Sequence, residues 1–195
     1  MVEGGPEYQA IQRHYYGRRQ HRSGVPYMEH IREGLFILGE IGASPRAARA
    51  FCLHPIVQSD VDLSVHWASM SAFDGHIVAL AMEYRRVANA YLSFHEAGRA
   101  RRRIHDIELG PLPEVRHMLI ADKVQNYKDF LHFQDRYSNA KTLDRYFSKW
   151  LERLGVDRER FEAFREQMKP YGIDRTAHFG ASLNRVREAM EEDAS

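Results

Sequence analysis

Residues 27–54, YMEHIREGLFILGEIGASPRAARAFCLH, decide how this chain reads. Ile31, Leu35, Leu38 and Ile41 recur at the three- and four-residue spacing that lays one apolar stripe along a helix. Gly42 stops that helix. Ser44-Pro45 opens the next, with serine as the cap and proline in the first turn. PRAARAFCLH then runs as a helix to His54-Pro55. Proline disfavours helical geometry in the residue before it, so His54 is expected at or just past the helix end.

The helical pattern continues outward. Residues 61–74 are ambiguous and read as helical in part. Ile77 to about Glu96 is a long helix, followed by the basic run GRARRRIHD and a proline-marked turn, GPLPE. Further helices are expected from Glu114 to about Arg136, from Ser138 to Leu154 with Gly155 as the stop, and over 157–169 up to Lys169-Pro170. Residues 183–192 form a weakly apolar helix. No six-residue stretch alternates cleanly enough for a strand. The expected fold is all-α: a compact domain of about seven or eight helices with short connections, spanning 1–195.

Composition narrows the class. The 195 residues are 44% hydrophobic and 28% charged, which suits a globular chain with a proper core. Twenty-eight basic and 27 acidic residues leave a formal charge of +1, so no global field draws the chain to nucleic acid or an anionic membrane. Cys52 is the single cysteine, which rules out an internal disulfide and fits a cytoplasmic location. The opening MVEGGPEYQAIQRHYYGRRQ has no apolar run of a signal peptide, and no stretch approaches the roughly 20 apolar residues that span a bilayer.

Three polar residues stand among apolar faces: His30, His54, and Asp122 within MLIADKVQN. Two histidines and a carboxylate are plausible ligands for manganese, iron(II) or zinc. Each alone is weak, because the chain has 11 histidines and any one can serve as a cap or a satisfied core donor. A helical aspartate can equally pair with an arginine.

Order along the chain adds to this. HRSGVPYMEH (21–30) resembles the opening motif of the RelA/SpoT-type alarmone hydrolases, a branch of the HD superfamily. FCLH at 51–54, ALAMEYRRVANAYL at 79–92, IADKVQN at 120–126 and KTLDRYFSKWLERLG at 141–155 resemble successive helices of that family, so the likeness covers residues 14–156 and leaves 157–195 as a helical extension. It implies an HD-type helical scaffold and a metal-dependent phosphohydrolase acting on a nucleotide or other phosphorylated small molecule. It implies His30, His54 and Asp122 as metal ligands, and Lys123 and Asn126 as contacts to the nucleotide. Arg22 and Tyr27 would support or line the pocket.

One departure bears on all of this. Where the family shows H-D-x-x-E-D, this chain reads His54-Pro55-Ile56-Val57-Gln58-Ser59. The carboxylate ligand becomes Pro55, and the glutamate becomes Gln58, which can orient water or substrate but is a poor base. Alarmone hydrolysis itself is therefore disfavoured. Three readings stand. A metal binds through His30, His54 and Asp122, with Asp60 or Asp62 as a further ligand if the chain bends after Pro55. Alternatively, a metal-free pocket performs a transfer or isomerisation on a nucleotide or nucleic acid, with His54 or His30 as general base. The third reading is a catalytically dead pocket, either a non-catalytic nucleotide- or protein-binding module or a purely structural relic.

Arg99, Arg101, Arg102 and Arg103 could grip phosphates, including those of a nucleic acid, or simply form a solvated face after a helix end. Tyr84 and Tyr91, and Phe130, Phe133 and Tyr137, are spaced for core packing ahead of base stacking. His14, Tyr15 and Tyr16 precede the opening motif and could cover the pocket.

Overall fold

The computed structural model describes residues 4–19, 25–92 and 107–168. In chain order its helices are α1 (Pro6–His14), α2 (Tyr27–Glu40), α3 (Pro45–Gln58), α4 (Asp60–His66), α5 (Gly75–Ala90), α6 (Pro113–His132), α7 (Ala140–Leu154) and α8 (Arg158–Gln167). Trp67–Ala72 and Gln134–Arg136 are 3-10 turns. The described residues contain no strand, only an isolated antiparallel bridge between Arg19 and Pro26. The expected all-α fold of about eight helices is what forms.

Its boundaries follow local chemistry. Gly42 takes φ +65°, a left-handed conformation that glycine adopts at little cost. That turn lets Ala43 N–H donate to Leu38 O at 2.9 Å and Gly42 N–H to Gly39 O at 3.2 Å, closing the end of α2. Ser44 Oγ accepts from Ala47 N–H and starts α3. Gly155 repeats the glycine device after α7, and Asp157 caps α8 through Arg160 N–H.

The expectation that His54 sits at a helix end is wrong. Pro55 lies inside α3, which continues to Gln58. One arginine and one asparagine of α5 complete the end of that helix. Arg85 Nε donates to Val57 O at 2.6 Å, and Asn89 Nδ2 donates to Gln58 O at 2.8 Å, so the last turn is held from outside. The helix expected over 77–96 ends at Ala90, and that expected over 114–136 ends at His132. The basic run with Arg99, Arg101, Arg102 and Arg103, the segment 183–192 and Arg22 lie outside the described residues.

Helix α6 is the axis of the fold, packing against α2, α3, α5, α7 and α8. Because it is covered on most sides, its apolar residues do not form a single stripe, and its inward polar residues must be paired within the protein. A contiguous core runs from Tyr8 to Met168, with Trp150, Tyr84, Phe36 and Phe51 among its largest fully buried side chains. Burying a phenylalanine such as Phe36 or Phe51 contributes about 1.5–3 kcal/mol. Tyr84, Tyr91 and Phe130 belong to it, and Phe133 is buried outside it.

One contact sets the site. The Phe51 ring lies directly on Gly34 of α2, where any Cβ would collide with it. α2 and α3 can therefore approach closely. His30, one turn before Gly34, and His54, one turn after Phe51, flank the same ring at centroid distances of 5.6 and 4.5 Å. No helix among the described residues is long and apolar enough to cross a membrane.

Candidate metal centre

Helices α2, α3 and α6 bring His30, His54 and Asp122 together, although 92 positions separate the first from the last. His30 Nε2 lies 3.2 Å from His54 Nε2, and Asp122 Oδ1 lies 3.6 and 3.9 Å from those two atoms. All three side chains are buried, with relative exposures of 8, 1 and 3%.

The hydrogen bonds behind the rings fix which nitrogen faces the cluster. His54 Nδ1 is 2.6 Å from Phe51 O, and a carbonyl can only accept, so Nδ1 carries the proton. His30 Nδ1 is 2.6 Å from Gln125 Oε1. The Gln125 amide nitrogen is spent on two carboxylates, Glu33 at 3.0 Å and Asp129 at 2.8 Å, which leaves its oxygen as the acceptor for His30. Both imidazoles in their neutral form therefore turn unprotonated Nε2 atoms toward each other. Two lone pairs at 3.2 Å repel unless a proton or a metal ion sits between them.

The donor set fits a divalent ion. Ligand atoms about 2.0–2.1 Å from one ion, at angles near those of tetrahedral or octahedral sites, lie roughly 2.8–3.4 Å apart. The two imidazole nitrogens already meet that spacing, and the carboxylate needs to close by only a few tenths of an ångström. Neutral imidazole and ionised carboxylate are also the protonation states that ligation requires. Burial, and then the neighbouring charge of His30, lowers the His54 pKa to about 3. Burial pushes the Asp122 carboxyl up, but Lys123, His30 and His54 overcome it and hold the pKa at about 2.

Several companions of this cluster are also built in. Asn126 Nδ2 donates to Asp122 Oδ1 at 2.7 Å, and Lys123 Nζ is 2.7 Å from Oδ2. Lys123 is itself buried, with its ammonium over the rings of Trp150 at 5.0 Å and Tyr146 at 5.8 Å. Its charge is thus directed at Asp122. Tyr84 packs edge-on against His54 at 4.8 Å, and its buried hydroxyl closes no well-formed hydrogen bond. Burial and then Asp122 raise its pKa well above the usual phenol value, so it stays a donor. Tyr27 stacks on Tyr15 at 4.9 Å near the start of α2, whereas Tyr16 is exposed. Gln58, one turn beyond His54 on α3, is half-buried.

Asp60 and Asp62 do not join the cluster. Because α3 continues through Pro55, both fall on α4, where Asp60 pairs with Arg85 and Asp62 accepts from Ser59 Oγ at 2.6 Å. The layer formed by Gln125, Glu33, Lys128 and Asp129 was not anticipated. Lys128 Nζ bridges Glu33 Oε2 and Asp129 Oδ1, each at 2.6 Å. One signal was available: Asp122, Gln125, Asn126 and Asp129 recur at helical spacing within a helix otherwise rich in apolar residues.

A pH effect follows from His54. Its folded pKa, about 3, lies below the ordinary 6.5, so between those values the unfolded chain binds a proton that the folded chain refuses. Stability is therefore full above about pH 6.5 and falls as pH drops toward 3. Asp122, depressed to about 2 from 3.8, adds a loss in the same direction at lower pH. Urea midpoints of the metal-free protein should decline over this range, and His54→Gln should flatten the decline. An identical slope in the variant would contradict this placement of His54.

Fold and cluster together define the class: an all-helical protein with a buried two-histidine, one-carboxylate constellation able to hold a metal ion. Comparison with protein-family models gives no match. Comparisons with curated proteins and with solved structures give none either.

Proposed function

We propose that this chain is a divalent-metal-dependent phosphohydrolase of the HD type, acting on a nucleotide or related phosphate ester. The observation that carries the reading is the convergence of His30, His54 and Asp122 from three separate helices. Their order along the chain is the order that the resemblance to the RelA/SpoT-type hydrolases expects.

His30, His54 and Asp122 would hold the ion. Manganese, iron(II) or zinc suits that donor set. The ion supplies an acidified water and positive charge for the phosphoryl oxygens. The remaining work falls to side chains. Asn126 holds Asp122 by its Oδ1 atom, and Lys123 neutralises the other oxygen, so the carboxylate remains ionised and oriented. Gln58 orients water or substrate by its amide. Tyr27, Arg22 and Asn126 are the proposed contacts to sugar and phosphate, while Lys123 serves the site through Asp122. The location that suits such a reaction is the cytoplasm, where nucleotides are abundant.

A non-catalytic nucleotide-binding module is favoured by one observation: a neutral Gln58 stands where the related motif carries a glutamate. The test separates the two. Manganese-, iron(II)- or zinc-supplemented protein is incubated with nucleoside 3′- and 5′-phosphates and pyrophosphates, and phosphate release is measured beside Asp122→Asn. Turnover lost in the variant supports hydrolysis. Saturable nucleotide binding without turnover supports the binding module, and the absence of both turnover and binding would sink both readings.

A further inference from the structure

The geometry points to Pro55 as a positioning residue for the metal centre: by withholding a backbone N–H from Phe51 O, it makes that carbonyl the partner of His54 Nδ1 and so turns His54 Nε2 toward the ion. In a regular helix the carbonyl of residue 51 accepts from the N–H of residue 55. Proline has no N–H, and its ring crowds the carbonyl one turn earlier. A buried carbonyl without a donor costs free energy comparable to a lost hydrogen bond. Here the Phe51 carbonyl is not left alone, because His54 Nδ1 lies 2.6 Å from it, inside the helix and fully buried.

The two effects reinforce each other. The freed carbonyl demands a donor, and the only tautomer of neutral His54 that provides one carries its proton on Nδ1. The lone pair is then on Nε2, the atom that faces His30 Nε2 at 3.2 Å and Asp122 Oδ1 at 3.9 Å. A ligating histidine generally has its second nitrogen anchored to an acceptor, and loss of that anchor weakens metal binding about 10–100-fold. Any residue other than proline at position 55 would return an N–H to Phe51 O and compete with His54 for it. Pro55 therefore contributes to the site without touching the ion. α3 tolerates it because His54 Nδ1 takes up the carbonyl that the missing N–H would have filled.

The statement about the ion rests on the metal-binding reading, whereas the statement about the tautomer does not. The experiment reads both. Chelated, nitrogen-15-labelled wild type and Pro55→Ala are compared at mildly alkaline pH by long-range proton–nitrogen correlation of the His54 ring. Zinc affinity of each is then measured by competition with a chelating dye. Wild type is expected to show His54 protonated on Nδ1 alone. Pro55→Ala is expected to keep or raise its melting temperature, lose that tautomeric preference, and bind zinc about tenfold or more weakly. A wild-type ring protonated on Nε2 overturns the inference, as does a Pro55→Ala variant with unchanged tautomer and affinity. If Pro55→Ala fails to fold, the wild-type tautomer alone decides. If wild type shows the Nδ1 tautomer but takes up no zinc, the positioning of His54 stands and the metal reading falls.

Discussion

Lys128→Met is expected to cost about 3–5 kcal/mol of folding stability, the range for removing one partner of a buried ion pair. Lys128 is buried, and its ammonium lies 2.6 Å from both Glu33 and Asp129. Without it, two carboxylates remain in the core with the Gln125 amide as their shared donor. Burial already raises the Glu33 pKa, partly offset by Lys128, and Asp129 raises it further. The variant should therefore take up protons on Glu33 more readily, and its urea midpoint should fall most steeply at neutral pH. Adding Glu33→Gln should recover part of the loss, because the uncompensated charge, rather than the missing lysine methylenes, dominates the cost. A single variant with the wild-type midpoint would contradict the pairing.

Gln125→Leu is expected to weaken metal binding about 10–100-fold, again the effect of losing an outer partner of a ligating histidine. Gln125 is the hinge of the buried layer. Its oxygen fixes His30 through Nδ1, and its nitrogen is held by Glu33 and Asp129. Leucine keeps most of the volume but leaves His30 Nδ1 without an acceptor, so the ring can rotate or change tautomer. Competitive titration with zinc should show the weakened affinity, while circular dichroism retains the helical signature. Affinity equal to wild type would show that His30 does not depend on this anchor.

Both experiments probe residues that the sequence alone did not single out. The helices were legible because their ends are written in local chemistry: Gly42 and Gly155 as left-handed stops, Ser44-Pro45 and Asp157 as starts. The error at Pro55 has the opposite origin. The carbonyl that Pro55 leaves without a helical donor is taken up by the buried His54 ring, and the last carbonyls of the helix by Arg85 and Asn89 of α5, so the helix continues where the local rule would end it. That error carried a second with it, since only a chain bending after Pro55 could have delivered Asp60 or Asp62 to the cluster.

The three convergent side chains were legible as polar residues on apolar faces, and their likeness to an ordered set of motifs singled them out from 11 histidines. The supporting layer was not, for a physical reason. Glu33, Gln125, Lys128 and Asp129 are residue types that ordinarily face water, and only the covering of α6 by its neighbours makes them interior. Burial of that kind is decided by packing between distant segments.

Metal content is the most direct test of the central claim. Purified protein, stripped with a chelator and then exposed separately to manganese, iron(II) and zinc, is desalted and analysed for bound metal beside His54→Ala and Asp122→Asn. The account predicts about one divalent ion per chain in wild type, a single-site requirement of the clustered ligands, and background levels in both variants. Wild type that retains none of the three metals, or variants that retain as much as wild type, would contradict it.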